Sequence, residues 1–312
     1  ILFQAGSAPI DQGMNILGAH IDSPRIDVKP NPLYESSEIA YLDTHYYGGV
    51  KKYQWLATPL ALHGVAVKMD GTRADISIGD NEGDPVLVIT DLLPHLADRQ
   101  MDKNAEDFIE GEKMDLVIGN RPAGKKEKEK QGVKKQILKL LKERYGIEEE
   151  DFLSAELEIV PAGKAKECGL DKSMILAYGQ DDRVCAFTSL FAMLEEKEPV
   201  RTSCCVLIDK EEIGSVGASG MTSRFFENTV AEYIALTTEY NDILLRRTLA
   251  NSKMLSSDVS AGFDPMYEEV FEKKNAAYMA HGPVFNRYTG VGGKSGSNEA
   301  NAEYVASLRK VM

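Results

Sequence analysis

Long apolar runs are missing from this 312-residue chain. The longest falls far short of the about 20 residues that a membrane-spanning helix needs, so no membrane partner is expected. No basic segment leading into an apolar stretch opens the chain, so no secretory leader is expected either. An excess of positive charge is also missing. Asp and Glu number 49 against 36 Lys and Arg, a net charge of −13. Nucleic-acid binding calls for a basic surface, which argues against DNA or RNA as a partner. The one dense basic run, residues 125–130, is interleaved with Glu127 and Glu129 and reads as a solvated loop. Cysteine is scarce, and Cys168, Cys185, Cys204 and Cys205 form no C-x-x-C pair. Cys204 and Cys205 sit together in an apolar run. They read as small core residues of a reducing, cytoplasmic compartment rather than as a disulfide framework.

What is present suffices for one large domain or two ordinary ones. Residues 14–17 read as a buried strand that ends at Gly18-Ala19-His20-Ile21-Asp22-Ser23-Pro24. The texture changes near Tyr34. Residues 60–68 and 73–78 alternate and are joined through Asp70-Gly71, the signature of a hairpin. Residues 86–89 suit a further strand, and 90–96 a capped short helix. Residues 131–145 carry Val133, Ile137, Leu140 and Leu141 at helical spacing. Tyr46-Tyr47-Gly48-Gly49 and Trp55 read as core of this block, with an interface patch as the alternative. From residue 172 onward strands and helices alternate: a strand at 174–177, then a helix with Val184, Phe187, Leu190, Phe191 and Leu194 on one face. Phe187 and Met193 are expected in the core. A strand at 203–208, a helix near 225–228 and a strand at 231–237 follow. The expected fold is α/β: a discontinuous α/β domain, residues 1–33 and 172–312, interrupted by an inserted β-rich domain at 34–171. Ile1 begins abruptly and Met312 falls inside a helical pattern at 298–311, so the chain is expected to be cut at both ends.

The chemistry concentrates at strand ends. Glu211 and Glu212 follow the apolar run 203–208, and adjacent carboxylates there repel unless a cation lies between them. Taken alone, the stretch also suits a solvated acidic turn. His20 with Asp22, Asp181 with Asp182, and Asp258 likewise follow apolar runs. Parallel strands would bring all of them to one sheet edge. Mixed imidazole and carboxylate ligands suit Zn²⁺, Co²⁺ or Mn²⁺. Asp181 would suit a carboxylate shared by two ions, and Asp22 could fix the His20 tautomer.

Gly18-Ala19-His20-Ile21-Asp22-Ser23-Pro24, Gln180-Asp181-Asp182-Arg183, Asp209-Lys210-Glu211-Glu212-Ile213-Gly214-Ser215 and Ser256-Ser257-Asp258 closely resemble the M18 family of metalloaminopeptidases. The likeness extends to Thr90-Asp91-Leu92-Leu93-Pro94-His95-Leu96 and His281-Gly282-Pro283-Val284, so it spans nearly the whole chain. It implies an α/β/α metallopeptidase domain with an inserted β-rich dimerisation domain, and dimers assembled into a dodecamer. It implies two divalent ions, zinc before cobalt or manganese. His20 and Asp258 would ligate one ion, Glu212 the other, and Asp181 both. Glu211 would be the general base, Asp22 would orient His20, and Lys294 would meet a substrate carboxylate. The family's further His ligand would lie beyond Met312. Arg99 stands where the family has a His that reaches a neighbouring subunit.

The expected reaction is hydrolysis of the N-terminal peptide bond by a metal-activated water, with Glu211 taking its proton. The alternatives are a non-catalytic assembly or binding protein that keeps the fold, and a related dinuclear metal deacylase. A serine hydrolase is disfavoured because Gly217-Ala218-Ser219-Gly220 does not complete G-x-S-x-G. Gly292-Gly293-Lys294-Ser295 is no phosphate loop, since Tyr288 stands where the first glycine belongs.

Overall fold

The computed structural model describes residues 1–123, 131–286 and 300–312. Lys294 and the basic run at 125–130 lie outside the described residues. Two units are present, Ile1–Leu255 and Ser256–Met312.

The first strands are Leu2–Gln4 (β1), Asn15–His20 (β2), Arg25–Ser36 (β3) and Ile39–Tyr47 (β4). Leu60–Val67 (β5), Arg73–Ile78 (β6), Val88–Ile89 (β7), the short helix Asp98–Met101 (α1) and Leu116–Gly119 (β8) come next. Helix Gly132–Tyr145 (α2) leads to Ala155–Pro161 (β9), Lys166–Cys168 (β10) and Met174–Leu176 (β11). Then come helix Gln180–Glu195 (α3), Ser203–Ile208 (β12), helices Phe225–Thr237 (α4) and Asp242–Asn251 (α5), and Lys253–Ser256 (β13).

The smaller main sheet has the order β1-β12-β2-β13. β12 runs parallel to β2, with Cys204 opposite Ile16 and Ile208 opposite His20. The Ile21 N–H donates to the Ile208 carbonyl at 2.8 Å. This register makes both strands finish level, so the turns that follow them leave from one edge. Val230, Ile234 and Leu245, from α4 and α5, bury Met14, Ile16, Cys204 and Val206. None of the four cysteines forms a disulfide, and Cys204 and Cys205 are buried.

Residues 231–237, expected as a strand, are the second half of α4. Val230 and Ile234, four apart, face the sheet together, and that spacing has the helical period. α3 differs from expectation in which face it buries. Its inward row is Asp182, Ala186, Ser189 and Met193, packed on β2 and β12. Phe187 and Phe191 are 56% and 55% exposed and stack on each other with centroids 6.1 Å apart. The residues that α3 buries are mostly small, so the large apolar row marks a different side of the helix.

The larger sheet has the order β6-β5-β9-β3-β4-β8-β7, with every neighbouring pair antiparallel. The expected hairpin forms between β5 and β6, with Val67 opposite Arg73. Ile26, Leu60, Ile89, Leu116 and Ile159 are fully buried in its core. Trp55 joins them, and α2 adds Ile137, Leu138 and Leu141 from one face. Of residues 90–96 only Pro94–Leu96 turns, as a short 3-10 helix. Residues 21–24 alone link this sheet to β2, so its first strand starts directly after the His20 turn.

The second unit holds a 3-10 helix, Pro265–Val270, and the helix Ala302–Leu308 (α6). Asn301 caps α6 by accepting the Tyr304 N–H at 2.8 Å. Phe263 packs against Phe271 and Tyr278, with centroids 5.5 and 5.2 Å away. Among the described residues no helix is long and apolar enough to cross a membrane.

Gly64, in the middle of β5, has φ +140°, and a Cβ there would lie 1.9 Å from the Glu156 carbonyl oxygen on β9. Gly64→Ala is therefore expected to lower stability by more than about 1 kcal/mol. A fall in the urea midpoint at constant m-value would show it. An unchanged midpoint would mean that the two strands do not approach this closely.

Candidate metal centre

His20 is the last residue of β2 and is 4% exposed. Its backbone N–H donates to Asp182 Oδ2 at 3.3 Å. Its ring Nδ1 lies 3.0 Å from the Asp22 carbonyl oxygen and 3.6 Å from Asp22 Oδ1. A carbonyl only accepts, so Nδ1 is assigned the proton and Nε2 is left to face the site. Nε2 is 3.1 Å from Asp181 Oδ1 and 4.0 Å from Glu211 Oε2.

Asp181 and Asp182 occupy the start of α3 with non-helical backbone angles, and the peptide between them is cis. Ser23 Oγ donates to the Asp181 carbonyl at 2.9 Å, which ties the turn after β2 to this helix start. Glu211 and Glu212 begin a single 3-10 turn, Glu211–Ile213, after β12. Lys210 and Gly214, both left-handed, bracket that turn.

The Asp22 carboxylate organises the acidic turn. Oδ1 accepts the Glu211 N–H at 3.1 Å, and Oδ2 accepts the Glu212 N–H at 3.2 Å. Oδ2 also accepts the Tyr47 hydroxyl at 2.7 Å. Asp22 is 5% exposed, and these donors replace the water that such burial removes. Tyr47, the last residue of β4, is held in turn by Arg25, whose guanidinium carbon sits 3.9 Å from the ring centroid. Arg25 pairs with Asp27 at 2.8 Å and with Glu158 at 3.1 Å.

The electrostatics are strained in one direction. Burial alone would lower the His20 pKa. The bond to the Asp22 carbonyl and the charges of Glu211, Asp181 and Asp182 carry it above its ordinary value. Burial, then Asp181 and Glu211, push the Glu212 carboxyl up to about 7. Crowded negative charge contributes to both shifts, after burial in the case of Glu212 and after the Asp22 carbonyl in that of His20. A divalent cation would relieve that part of the imbalance.

The donor set suits such an ion. His20, Glu211 and Glu212 each offer a ligand atom within 4.8 Å of the others. One imidazole nitrogen with carboxylate oxygens is a set for zinc or a neighbouring divalent metal. The first unit thus gathers His20, Asp22, Asp181, Glu211 and Glu212. Asp181, expected at the edge of the same parallel sheet, does not come from it. The strand before it, β11, pairs antiparallel with β10 in a separate two-stranded sheet, and Asp181 reaches the site from the start of α3. Asp258 belongs to the second unit and is exposed there. Arg99 lies in α1.

Sequence reasoning left Tyr47 and Arg25 out of the site. Tyr47 is followed by Gly48, at φ +75°, where a Cβ would lie 3.1 Å from Glu212 Cβ. A Tyr-Gly pair ending a strand was the available signal, but nothing local says that it meets a turn more than 150 residues away.

The chain matches the family described as "Aminopeptidase I zinc metalloprotease (M18)" over residues 1–312. It is 56% identical over 312 residues to a probable M18 family aminopeptidase 1 of Clostridium acetobutylicum, covering 100% of this chain and 67% of that protein. The crystal structure of aminopeptidase I from the same organism superposes with a TM-score of 0.90 over 99% of this chain and 66% of that one. The structure of the Saccharomyces cerevisiae mApe1 dodecamer, 23% identical, has a TM-score of 0.67 over 88% of this chain and 61% of that one, a likeness of fold. The chain spans about two thirds of the length of the relatives it matches.

Zinc held by these residues should stabilise the folded protein. At a hundredfold excess over its Kd, a ligand that binds only the native state adds about 2.7 kcal/mol. Wild-type protein is expected to melt at a higher temperature with added Zn²⁺, and His20→Ala is expected to lose most of that rise. An equal rise in both would place the ion elsewhere.

Proposed function

This chain belongs to the M18 family of aminopeptidase I zinc metalloproteases, and from that premise we propose that it removes the N-terminal residue of peptides by metal-assisted hydrolysis. The observation that carries this reading is the convergence of the His20, Glu211 and Glu212 ligand atoms within 4.8 Å, with Asp181 beside the same imidazole.

In this proposal His20 would hold one divalent ion and Glu212 a second, and Asp181 would serve both. Asp258 is assigned to the His20 ion on the family likeness alone, as Lys294 is to a substrate carboxylate. Bound divalent ions, zinc first, would supply a nucleophilic water near neutral pH and polarise the scissile carbonyl. Glu211 takes the proton from the attacking water. It then passes that proton to the amine that leaves when the peptide C–N bond breaks. Its side chain is 46% exposed, so it can meet both water and peptide. Asp22 holds the backbone of the base and of its neighbour Glu212, and its carbonyl fixes the His20 ring.

The same proposal extends to assembly and location. The yeast relative of this fold forms a dodecamer. A homo-oligomer of dimers is proposed here, with the inserted block at 34–171 supplying the subunit contacts. Four cysteines without a disulfide suit a reducing cytoplasm.

Glu211→Gln in the full-length protein is expected to lower kcat on aminoacyl anilides by at least about 10²-fold. Zinc content should stay near wild type. Retained turnover in that variant would remove Glu211 from the role of base.

A further inference from the structure

The larger sheet reaches the acidic turn through one strand end. β4 finishes at Tyr47, and Gly48 and Gly49 follow. Tyr47 is 7% exposed, although it lies next to Tyr46, which is 44% exposed. Its hydroxyl donates to Asp22 Oδ2 at 2.7 Å, the same oxygen that accepts the Glu212 N–H. Asp22 Oδ1 takes the Glu211 N–H. The carboxylate therefore has three donors. Two come from the turn that carries the base, and the third comes from the other sheet. Gly48 closes the contact from the side, since a Cβ there would meet Glu212 Cβ at 3.1 Å and Glu212 Oε2 at 3.4 Å.

The tyrosine is itself fixed. Arg25 sits over its ring at 3.9 Å and is clamped by Asp27 and by Glu158 of β9, at 2.8 and 3.1 Å. Two further strands of the larger sheet, β3 and β9, thus hold the group that holds Asp22.

We propose that Tyr47 and Gly48 are positioning residues for the Glu211-Glu212 turn, so that the inserted sheet sets the geometry of the site as well as any subunit contacts. This rests on the aminopeptidase reading above for its effect on turnover. It does not rest on that reading for its effect on the turn. Tyr47 touches no reacting atom. It locks Asp22, and Asp22 locks the backbone from which the Glu211 and Glu212 side chains depart. A small displacement of a proton acceptor costs far more in rate than in binding, because only the transition state demands the alignment.

Tyr47→Phe tests the idea, since it keeps the ring beneath Arg25 and removes only the hydroxyl. Gly48→Ala, which crowds Glu212 directly, is the second variant, and Tyr46→Phe is the control on the same strand. Amide exchange is read by mass spectrometry on a peptide spanning residues 209–215. It is expected to quicken at least about tenfold in Tyr47→Phe and to stay unchanged in Tyr46→Phe. On aminoacyl anilides, kcat of the zinc-loaded full-length protein is expected to fall about 10–100-fold in Tyr47→Phe and in Gly48→Ala. KM should stay within about twofold. Unchanged exchange in Tyr47→Phe overturns the inference, and so does faster exchange with kcat intact. If the wild type hydrolyses none of the substrates while the exchange difference is present, the aminopeptidase reading fails and the positioning of the turn by Tyr47 stands.

Discussion

Crowding Asp181, Glu211 and Glu212 around one buried imidazole works against Coulomb repulsion. Two like charges 4 Å apart repel by about 1 kcal/mol in water and about 4 kcal/mol at the effective dielectric near a protein surface. The fold accepts that cost at one sheet edge and nowhere else on so tight a scale among the described residues. Together with burial, the repulsion pushes the Glu212 carboxyl up to about 7, and together with the Asp22 carbonyl, the same negative charge raises the His20 pKa. Positive charge must enter such a place as protons or as metal. The ligand atoms, gathered within 4.8 Å, are arranged to receive the metal.

Asp22 shows the opposite solution to the same problem. It is also a buried carboxylate beside the imidazole, yet its oxygens are already engaged by two backbone N–H groups and a tyrosine hydroxyl. A carboxylate satisfied in this way is a poor candidate for a metal and a good brace. The site thus divides its acids by environment. Asp181 and Glu211 stay about half exposed and available, while Asp22 is enclosed and structural. Residue type alone does not make that distinction; hydrogen-bond supply does.

Much of this was legible in the chain. The apolar run before Glu211, the strand before His20 and the Asp70-Gly71 hairpin all rest on local patterns. Local patterns survive folding because side-chain period and turn sterics do not depend on distant partners. The misses share one cause. The apolar stretch at 231–237 is compatible with strand or helix, and only its contact with Met14 and Ile16 selects helix. The large apolar row of α3 looked like its inner face. The sheet instead took the row of Asp182, Ala186, Ser189 and Met193. Whether a row of side chains is buried depends on what is laid against it, which periodicity does not encode.

Order along the chain established which residues could supply chemistry: an imidazole and several carboxylates, most of them placed where a strand gives way to a turn and Asp181 where a helix begins. Their family likeness could be recognised from the same short stretches. Only the three-dimensional fold decided which carboxylates face the imidazole and which one is tied down behind it. Only the fold could recruit Tyr47, Gly48 and Arg25 from a separate sheet. The reason is that strand pairing is non-local. The parallel register of β2 with β12 brings together turns nearly two hundred residues apart, and no stretch of sequence carries a record of that meeting.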